Sequence, residues 1–188
     1  MSSQFNFTNT PLDGLYKIKY NPVEDNRGFF NRLFCNEKFK VLGLKEPISQ
    51  INKSFTKIKG TVRGMHYQNF PYAETKIISC NKGEIFDVVI DIRKNSSTFL
   101  KWHAEILSEN NNYGLYVPEG FAHGFQTLTD SCELFYLHTK AYNSEYEGAI
   151  NVLDPSINIK WPLKISEISN RDKKHVMIDE MFKGIKIL

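Results

Sequence analysis

The sequence predicts an all-β fold, either a sandwich or a barrel, and two observations support this. Short runs rich in β-branched and aromatic residues recur at intervals of about 8–15 residues, with glycine, proline and asparagine between them. No helical periodicity separates these runs, which disfavours a parallel α/β sheet, because strands and helices alternate there. The clearest strand is 84–92, where Phe86, Val88 and Ile90 share one face and Asp87 lies on the other.

The elements can be assigned in chain order. Residues 1–13 are polar and form an arm or an edge strand, and residues 14–34 contain two short extended runs around turns. A short helix is expected over 36–43. The charged tail, 166–188, is expected to form short helices with Ser166 or Ser169 as an N-cap. Further strands are expected at 48–55, 62–68, 75–80, 102–107, 113–117, 124–128 and 133–139.

Composition excludes several classes of function. The 188 residues suit one domain spanning 1–188, and a formal charge of +3, scattered along the chain, gives no sign of nucleic-acid binding. No apolar run approaches the ~20 residues of a membrane helix, and no signal peptide is expected. Three widely spaced cysteines fit neither a disulfide framework nor a metal knuckle, so reduced thiols in a cytoplasmic protein are expected.

Two stretches carry the candidate chemistry. Arg63, His66 and Lys76 lie in GTVRGMHYQNFPYAETK, and His123 follows the turn of PEGFAHGF. A histidine, a lysine and a tyrosine (Tyr136), each embedded in an apolar strand, are costly unless they are exposed, paired or used. Each alone has an ordinary explanation: a hydrogen-bonded core histidine, a lysine at an edge, or an aromatic ring with its hydroxyl at the rim. Their conjunction indicates a shared pocket.

The strand at 48–55 has a polar face. Gln50, Asn52 and Ser54 alternate along it. Each of these groups needs a hydrogen-bond partner if it is buried. The face therefore either points to solvent or lines a polar pocket, and the sequence leaves both readings open.

Part of a metal-binding pattern is present. Cupin jelly rolls carry the motifs G-x5-H-x-H-x(3–4)-E-x6-G and G-x5-P-x-G-x2-H-x3-N. Here Gln68 stands in place of the second histidine, Glu74 lies beyond its slot, and Thr127 replaces the asparagine. The sequence resembles a cupin scaffold that has lost half of its imidazole ligands, and no metal site is expected.

A more specific resemblance rests on motifs spread in order along most of the chain. The sequence resembles the dTDP-4-dehydrorhamnose 3,5-epimerase family in DNRGFF, QINKS, GTVRGMHYQ, TKIISCNKGEIFDVVIDIR, VPEGFAHGF and ISNRD. The resemblance implies a cupin jelly roll (a double-stranded β-helix) that forms a homodimer. It also implies an enzyme that needs no metal or cofactor and acts on a nucleotide-diphosphate 4-keto sugar.

The resemblance implies a role for several residues. His66 is the base that removes a proton beside the ketone, and Asp172 within ISNRD holds its imidazole. Lys76 stabilises the enolate at the C4 oxygen, and Tyr136 returns a proton from the opposite face. The expected substrate-binding residues are Arg27, Phe30, Gln50, Asn52, Arg63, Asp87 and His123. Of these, Arg63 and Gln50 match phosphate-contacting positions, and Arg27 and Phe30 match residues that reach across from the partner subunit.

Several alternatives stay open. Arg32 stands where dTDP enzymes of the family usually carry glutamate, so a GDP-linked hexose or heptose is at least as good an expectation as a dTDP-linked sugar. His66 and Tyr136 together favour inversion at both C3 and C5, and the alternative is a C3-only epimerase. The expected setting is the synthesis of surface polysaccharide, such as capsule or lipopolysaccharide. A metal-dependent cupin oxygenase and a non-catalytic sugar-binding cupin are the competing classes.

Overall fold

The structure is a computed structural model and describes residues 4–187. Residues 1–3 of the predicted arm and residue 188 of the predicted tail lie outside the described residues. The strands are β1 (Phe5–Asn9), β2 (Tyr16–Tyr20), β3 (Val23–Asp25), β4 (Gly28–Phe30), β5 (Gln50–Thr56), β6 (Val62–Gln68), β7 (Lys76–Lys82), β8 (Glu84–Asp91), β9 (Trp102–Ser108), β10 (Tyr113–Val117), β11 (Phe121–Thr127), β12 (Cys132–His138) and β13 (Glu147–Ala149). The helices are α1 (Asn36–Phe39), continued by a 3-10 turn (Lys40–Leu42), and α2 (Asn170–Lys173).

Two antiparallel sheets form the body of the molecule. One has six strands in the order β1-β2-β10-β7-β12-β5, and the other has five in the order β13-β6-β11-β8-β9. Strands β3 and β4 form a separate two-stranded ribbon. The predicted all-β jelly roll is confirmed, because most neighbours within each sheet are distant in sequence and the neighbouring strands pair antiparallel.

Strand β8 shows how alternation builds the core. Ile85 and Val89 point between the sheets, where they pack with Ile78 and Leu134. Val88 and the other residues of the alternate set belong to a second cluster on the outer face of the five-stranded sheet. The predicted two-faced pattern of this strand is therefore confirmed. Each face is buried because the tail covers the outer one.

The outer face of the six-stranded sheet is covered by α1, and Phe5 of the edge strand β1 belongs to the same hydrophobic cluster. Phe39 of α1 is fully buried in this third cluster. The helix and its 3-10 turn end at Gly43, whose positive φ of 88° favours glycine. The predicted helix over 36–43 is confirmed. The N-terminal segment takes the edge-strand form, because β1 pairs with β2.

The C-terminal tail is largely irregular and packs on the five-stranded sheet. Its helix, α2, is four residues long and is capped by Ser169, whose Oγ accepts the Asp172 N–H at 3.0 Å. Ser166, the other predicted cap, instead donates to the carbonyl of Lys59 at 2.7 Å. The tail thus places Asp172 over β6. Among residues 4–187, no helix is long and apolar enough to cross a membrane.

Candidate active site

A cavity of about 580 Å³ lies between the two sheets. A smaller one of about 420 Å³ adjoins it, because the two share lining residues, and Gln50 of β5 lines the smaller cavity. The polar face of β5 therefore lines cavities, but Asn52 on it is also exposed to solvent, so both interpretations of that face hold in part. The predicted residues that line the larger cavity are Asn52, Arg63, His66, Lys76, His123, Tyr136 and Asp172.

His66 on β6 is held by a carboxylate from the tail. Its Nε2 lies 2.9 Å from Asp172 Oδ1, although the two residues are 106 positions apart. Asp172 Oδ2 accepts the backbone N–H of Gly64 at 3.3 Å. Burial alone would raise the pKa of Asp172, but the His66 imidazole, the Gly64 N–H and the Arg171 guanidinium outweigh it and leave that pKa at about 2. Asp172 is thus an anion at neutral pH, so Nε2 of His66 donates to it.

Two of the cavity histidines are paired residues of adjacent strands, His66 on β6 and His123 on β11. Glycines allow this close approach. A Cβ on Gly64, which has a φ of 139°, would lie 2.6 Å from the Cα of Gly124. A Cβ on Gly124 would lie 2.5 Å from the sulfur of Met65. Glycine at both positions therefore lets the two backbones meet beside the histidines.

His123 has its own carboxylate partner within the five-stranded sheet. Its Nε2 lies 2.8 Å from Asp87 Oδ2, and Asp87 is fully buried. Burial raises the pKa of Asp87, while the charge and hydrogen bond of His123 and the Lys76 ammonium oppose that rise. Among the described residues, Asp87 Oδ1 has no hydrogen-bond partner. Asp87 lies behind the cavity wall and reaches the cavity through His123.

Lys76 is held in a buried charged cluster. Its Nζ lies 3.4 Å from Glu74 Oε1 and donates to the carbonyl of His66 at 3.2 Å. The other Glu74 oxygen lies 2.9 Å from His138 Nδ1, and His138 Nε2 is 3.4 Å from the Asn52 amide. Burial would raise the pKa of Glu74, but His138 and Lys76 outweigh it and lower that pKa below its usual value. Glu74 is therefore an ionised partner of Lys76.

Tyr136 projects from β12, in the sheet opposite His66. Its hydroxyl lies 3.1 Å from Ser54 Oγ. Its ring packs edge-on against His123 at a centroid distance of 6.2 Å and stacks on His138 at 6.1 Å. Burial raises the pKa of Tyr136 far above its usual value, so the phenol keeps its proton at neutral pH.

The cations of the cavity differ in their partners. Lys76 is paired with Glu74, and Arg171 is paired with Glu147 at 3.2 Å. Arg63 instead donates to neutral oxygens, Thr56 Oγ1 at 3.0 Å and the Phe55 carbonyl at 3.3 Å. It has no acidic partner within the part of the chain that the structure describes. A guanidinium without a carboxylate is available to an anionic ligand.

Arg27 and Phe30 lie away from the cavity of their own chain. Both belong to the β3–β4 ribbon; the Arg27 side chain is 90% exposed and pairs with Asp25 at 2.6 Å. Phe30 is 63% exposed, and Val23 and Phe29 beside it are equally open. The structure brings the other predicted residues together but leaves these two on the surface.

Three functional candidates were not singled out as site residues from the sequence. His138 is two residues beyond Tyr136, so strand alternation places it on the same face. Arg171 is adjacent to Asp172 within ISNRD. His175 carries no such signal, since it follows α2 in irregular chain. Together with His66 and Asp172 it forms the one group of potential metal ligands found among residues 4–187, with ligand atoms within 4.8 Å of one another.

The chain is similar to known sugar-nucleotide epimerases over nearly its whole length. A family model described as dTDP-4-dehydrorhamnose 3,5-epimerase matches residues 9–180. A dTDP-4-dehydrorhamnose 3,5-epimerase of Methanothermobacter thermautotrophicus is 38% identical over 91% of this chain and 93% of that protein.

Solved structures agree with the sequence comparisons. The dTDP-6-deoxy-D-glucose-3,5-epimerase of Legionella pneumophila, solved with dTDP-4-keto-L-rhamnose, is 35% identical with a TM-score of 0.90, over 98% of this chain and 100% of that one. A 3'-monoepimerase of Streptomyces bikiniensis, solved with dTDP-quinovose, is 30% identical with a TM-score of 0.83, over 89% and 85%. The predicted resemblance is confirmed: this chain belongs to the dTDP-4-dehydrorhamnose 3,5-epimerase family.

Proposed function

We propose that this protein inverts C3 and C5 of a dTDP-linked 4-keto-6-deoxy hexose by removing and returning protons beside the ketone. One observation carries the proposal. A histidine bonded to an ionised carboxylate and a protonated tyrosine line one cavity from opposite sheets. A base and an acid on opposite walls can take a proton from one face of a sugar ring and return it to the other.

His66 is the base in this proposal. Because Nε2 donates to Asp172, the neutral ring has its lone pair on Nδ1, which is the atom that removes the proton from carbon. The ionised carboxylate fixes this tautomer and stabilises the imidazolium that forms. The backbone N–H of Gly64 on the second carboxylate oxygen keeps Asp172 in place.

Tyr136 is the acid. Its raised pKa supports this role, because a phenol that stays protonated can give its proton to the enolate carbon. Ser54, which is 3.1 Å away, orients the hydroxyl. From the opposite sheet, His123, which is bonded to Asp87, packs edge-on against the Tyr136 ring and supports its position.

Lys76 stabilises the enolate oxygen. An ammonium aimed at the developing charge lowers the barrier without having to reorganise. Its contacts with Glu74 and with the His66 carbonyl leave one of its three N–H donors for the ketone oxygen. Arg63, the cation without an acidic partner, binds the diphosphate, and Gln50 and Asn52 complete the nucleotide end of the cavity.

We propose that the enzyme works as a homodimer. The exposed aromatic residues of the β3–β4 ribbon are the observation that supports this, since a water-exposed apolar ribbon is typical of a contact surface. In a dimer, Arg27 and Phe30 would approach the partner's cavity and contact the nucleotide there. Reduced thiols support a cytoplasmic location, since the three cysteines are free. Synthesis of surface polysaccharide remains the proposed setting.

The names of the relatives support dTDP as the nucleotide. A GDP-linked hexose or heptose is the second candidate, favoured by Arg32, whose exposed guanidinium donates to Gln4 Oε1 at 2.7 Å. C3-only inversion is the second candidate for the reaction, favoured by the similarity to the 3'-monoepimerase.

The deciding experiment is proton NMR of dTDP- and GDP-linked 4-keto-6-deoxy sugars incubated with the enzyme in heavy water. We expect deuterium at both C3 and C5 of the dTDP sugar, with new coupling constants. Deuterium and inversion at C3 alone would identify a C3 epimerase. Preference for the GDP sugar would overturn the assignment of the nucleotide, and no incorporation from either would overturn the catalytic proposal.

A further inference from the structure

We propose that His66, Asp172 and His175 form a binding site for Zn²⁺ and that the bound ion inhibits the enzyme. All three ligand atoms lie within 4.8 Å of one another. Asp172 Oδ1 is central, 2.9 Å from His66 Nε2 and 3.4 Å from His175 Nε2. Tetrahedral zinc with bonds of about 2.0–2.1 Å holds its ligands about 3.3 Å apart, and these two separations bracket that value.

The state of His175 is a second and independent observation. Its Nε2 is buried, yet it has no hydrogen-bond partner among the described residues, because the nearby Asp172 oxygen lies outside bonding geometry. The ring stands edge-on to His66, with a centroid distance of 5.9 Å. A buried polar atom without a partner requires an explanation. A shared metal ion would give this nitrogen its missing partner.

The ligand set selects the type of ion. Two imidazoles and one carboxylate are borderline ligands that suit Zn²⁺, whereas Mg²⁺ and Ca²⁺ prefer sites made of oxygen. Three protein ligands with an open fourth position are the common arrangement at zinc sites that admit water. Inorganic Zn²⁺ is therefore the proposed ligand, and Mg²⁺ is not.

Arg171 opposes the ion. Its guanidinium lies 3.3 Å from His66 Nε2 and 3.5 Å from Asp172 Oδ1, so zinc must displace a positive charge. The side chain is 56% exposed and already contacts Glu147 at 3.2 Å, so Glu147 remains its ion-pair partner when zinc displaces it from Asp172. Arg171 and Zn²⁺ therefore compete for the same carboxylate, and removing Arg171 should tighten zinc binding.

Zinc would inhibit the enzyme because it changes the tautomer of His66. This inference rests on the proposed function. A neutral imidazole has one ring N–H, and a metal-bound imidazole carries it on the nitrogen that does not bind the metal. Zinc on Nε2 of His66 would move the proton to Nδ1. That is the atom proposed to take the proton from the sugar, so the zinc-bound protein has no base.

Calorimetric titration of the purified protein with ZnCl₂ tests the site without using activity. We expect one site in the unchanged protein and no heat from MgCl₂. His175→Ala and the bulkier His175→Gln should each weaken binding by about 100-fold or more, because loss of a ligand costs at least as much as loss of its supporting contacts. Arg171→Ala should tighten binding.

Matched controls separate this site from other ligands of zinc. His103→Ala removes a histidine that also sits 3.0 Å from a carboxylate, Glu105, but away from the cavity. Cys35→Ser removes the partly exposed thiol. Both should bind zinc as the unchanged protein does. Unaltered binding in the folded His175 variants, or loss of binding in either control, would overturn the site.

The activity assay then tests inhibition. Zinc should inhibit the unchanged enzyme, and a chelator should restore it. In His175→Ala, zinc should lower turnover far less, relative to the same variant without zinc. Stoichiometric binding with no effect on turnover would overturn the inhibitory role. If the protein proves inactive on every nucleotide sugar, the proposed function fails, and the calorimetric result still decides whether the zinc site exists.

Discussion

His66–Asp172 and His123–Asp87 are two hydrogen-bonded histidine–aspartate pairs in one wall of the cavity, and the pKa values of their carboxyl groups shift in opposite directions. The separations are nearly equal, 2.9 Å for His66–Asp172 and 2.8 Å for His123–Asp87. Yet the pKa of Asp172 falls to about 2, whereas burial raises that of Asp87. Distance between partners therefore does not explain the contrast.

The surroundings of each carboxylate explain it. Asp172 lies at the start of α2, where it also accepts the Gly64 N–H and lies beside Arg171. Asp87 lies in a central strand, and its second oxygen has no partner among the described residues. Donors and cations favour the charged form, and desolvation disfavours it. The surroundings of Asp172 thus favour a charged carboxylate beside His66, whereas those of Asp87 disfavour one beside His123.

The largest expected effect comes from neutralising each aspartate in turn. Asp172→Asn should lower kcat/KM by about 10³–10⁴-fold, because an amide neither fixes the tautomer nor stabilises the imidazolium. Asp87→Asn should cost at most about 100-fold, the effect of a small misplacement. Steady-state kinetics on the two folded variants measures this, and equal losses would break the contrast between the pairs.

Replacing Tyr136, the proposed acid, tests the side chain against which His123 packs. Tyr136→Phe removes the donor but leaves His66 and Asp172 intact, so proton exchange should survive. Inversion should fall by about 10²–10⁴-fold. Deuterium incorporation and product ratio are followed by NMR. Tyr116→Phe is the matched control, because Tyr116 is a buried tyrosine of the third cluster, on the outer face of the six-stranded sheet. This variant should keep both exchange and inversion. If exchange and inversion fell together in Tyr136→Phe, the assignment of the acid would be wrong.

The contributions of Asp172 and Asp87 to the free energy of unfolding should depend on pH with opposite signs. The lowered pKa of Asp172 stabilises the fold by about 2 kcal/mol above its ordinary value of 3.8, and this is lost as pH falls toward about 2. The raised pKa of Asp87 has the opposite sign, so its contribution becomes unfavourable as pH rises above 3.8.

Urea unfolding at pH 7, 5 and 3 measures this difference. Relative to the unchanged protein, Asp172→Asn should be less stable by about 2 kcal/mol at pH 7 and should lose that deficit at low pH. Asp87→Asn should show the reverse trend and improve as pH rises. If the free energy of unfolding of the two variants changed with pH in the same way, the environments of Asp172 and Asp87 would be equivalent.

The smallest expected effect lies outside both pairs. Arg32→Glu changes an exposed charge near the ribbon, and exposed ion pairs are worth at most about 1 kcal/mol, or fivefold. The ratio of kcat/KM for dTDP- and GDP-linked substrates should shift toward dTDP by about that factor, while the pH profile of turnover stays unchanged. A shift toward GDP would remove the reason for considering GDP at all.

Much of the fold could be predicted from the sequence, and there are physical reasons why the rest could not. Alternation alone assigned the faces of β8, because a strand buried on both sides keeps its period. On β6 alternation fails, since Val62 and Met65, three residues apart, share one outer cluster. The register between β6 and β11 also shifts near His123. Periodicity could not show that irregularity.

The parts of the site differ in how far sequence could reach them. Asp172 was assigned to His66 only through family resemblance, because residues 106 positions apart in irregular chain leave no periodic signal. His175 had neither a motif nor a period. Its place depends on how the chain leaves α2, and only three-dimensional packing determines that.

The contact between Gly64 and Gly124 has a consequence for how such an enzyme can change over generations. An exposed residue such as Arg32, which donates to Gln4, can be exchanged without moving either strand. Neither glycine can gain a side chain unless both strands move, because a Cβ on either would collide with the other strand. The spacing of His66 and His123 therefore depends on both glycines at once. A mutagenesis library aimed at new sugars should keep both glycines and vary exposed residues around the cavity.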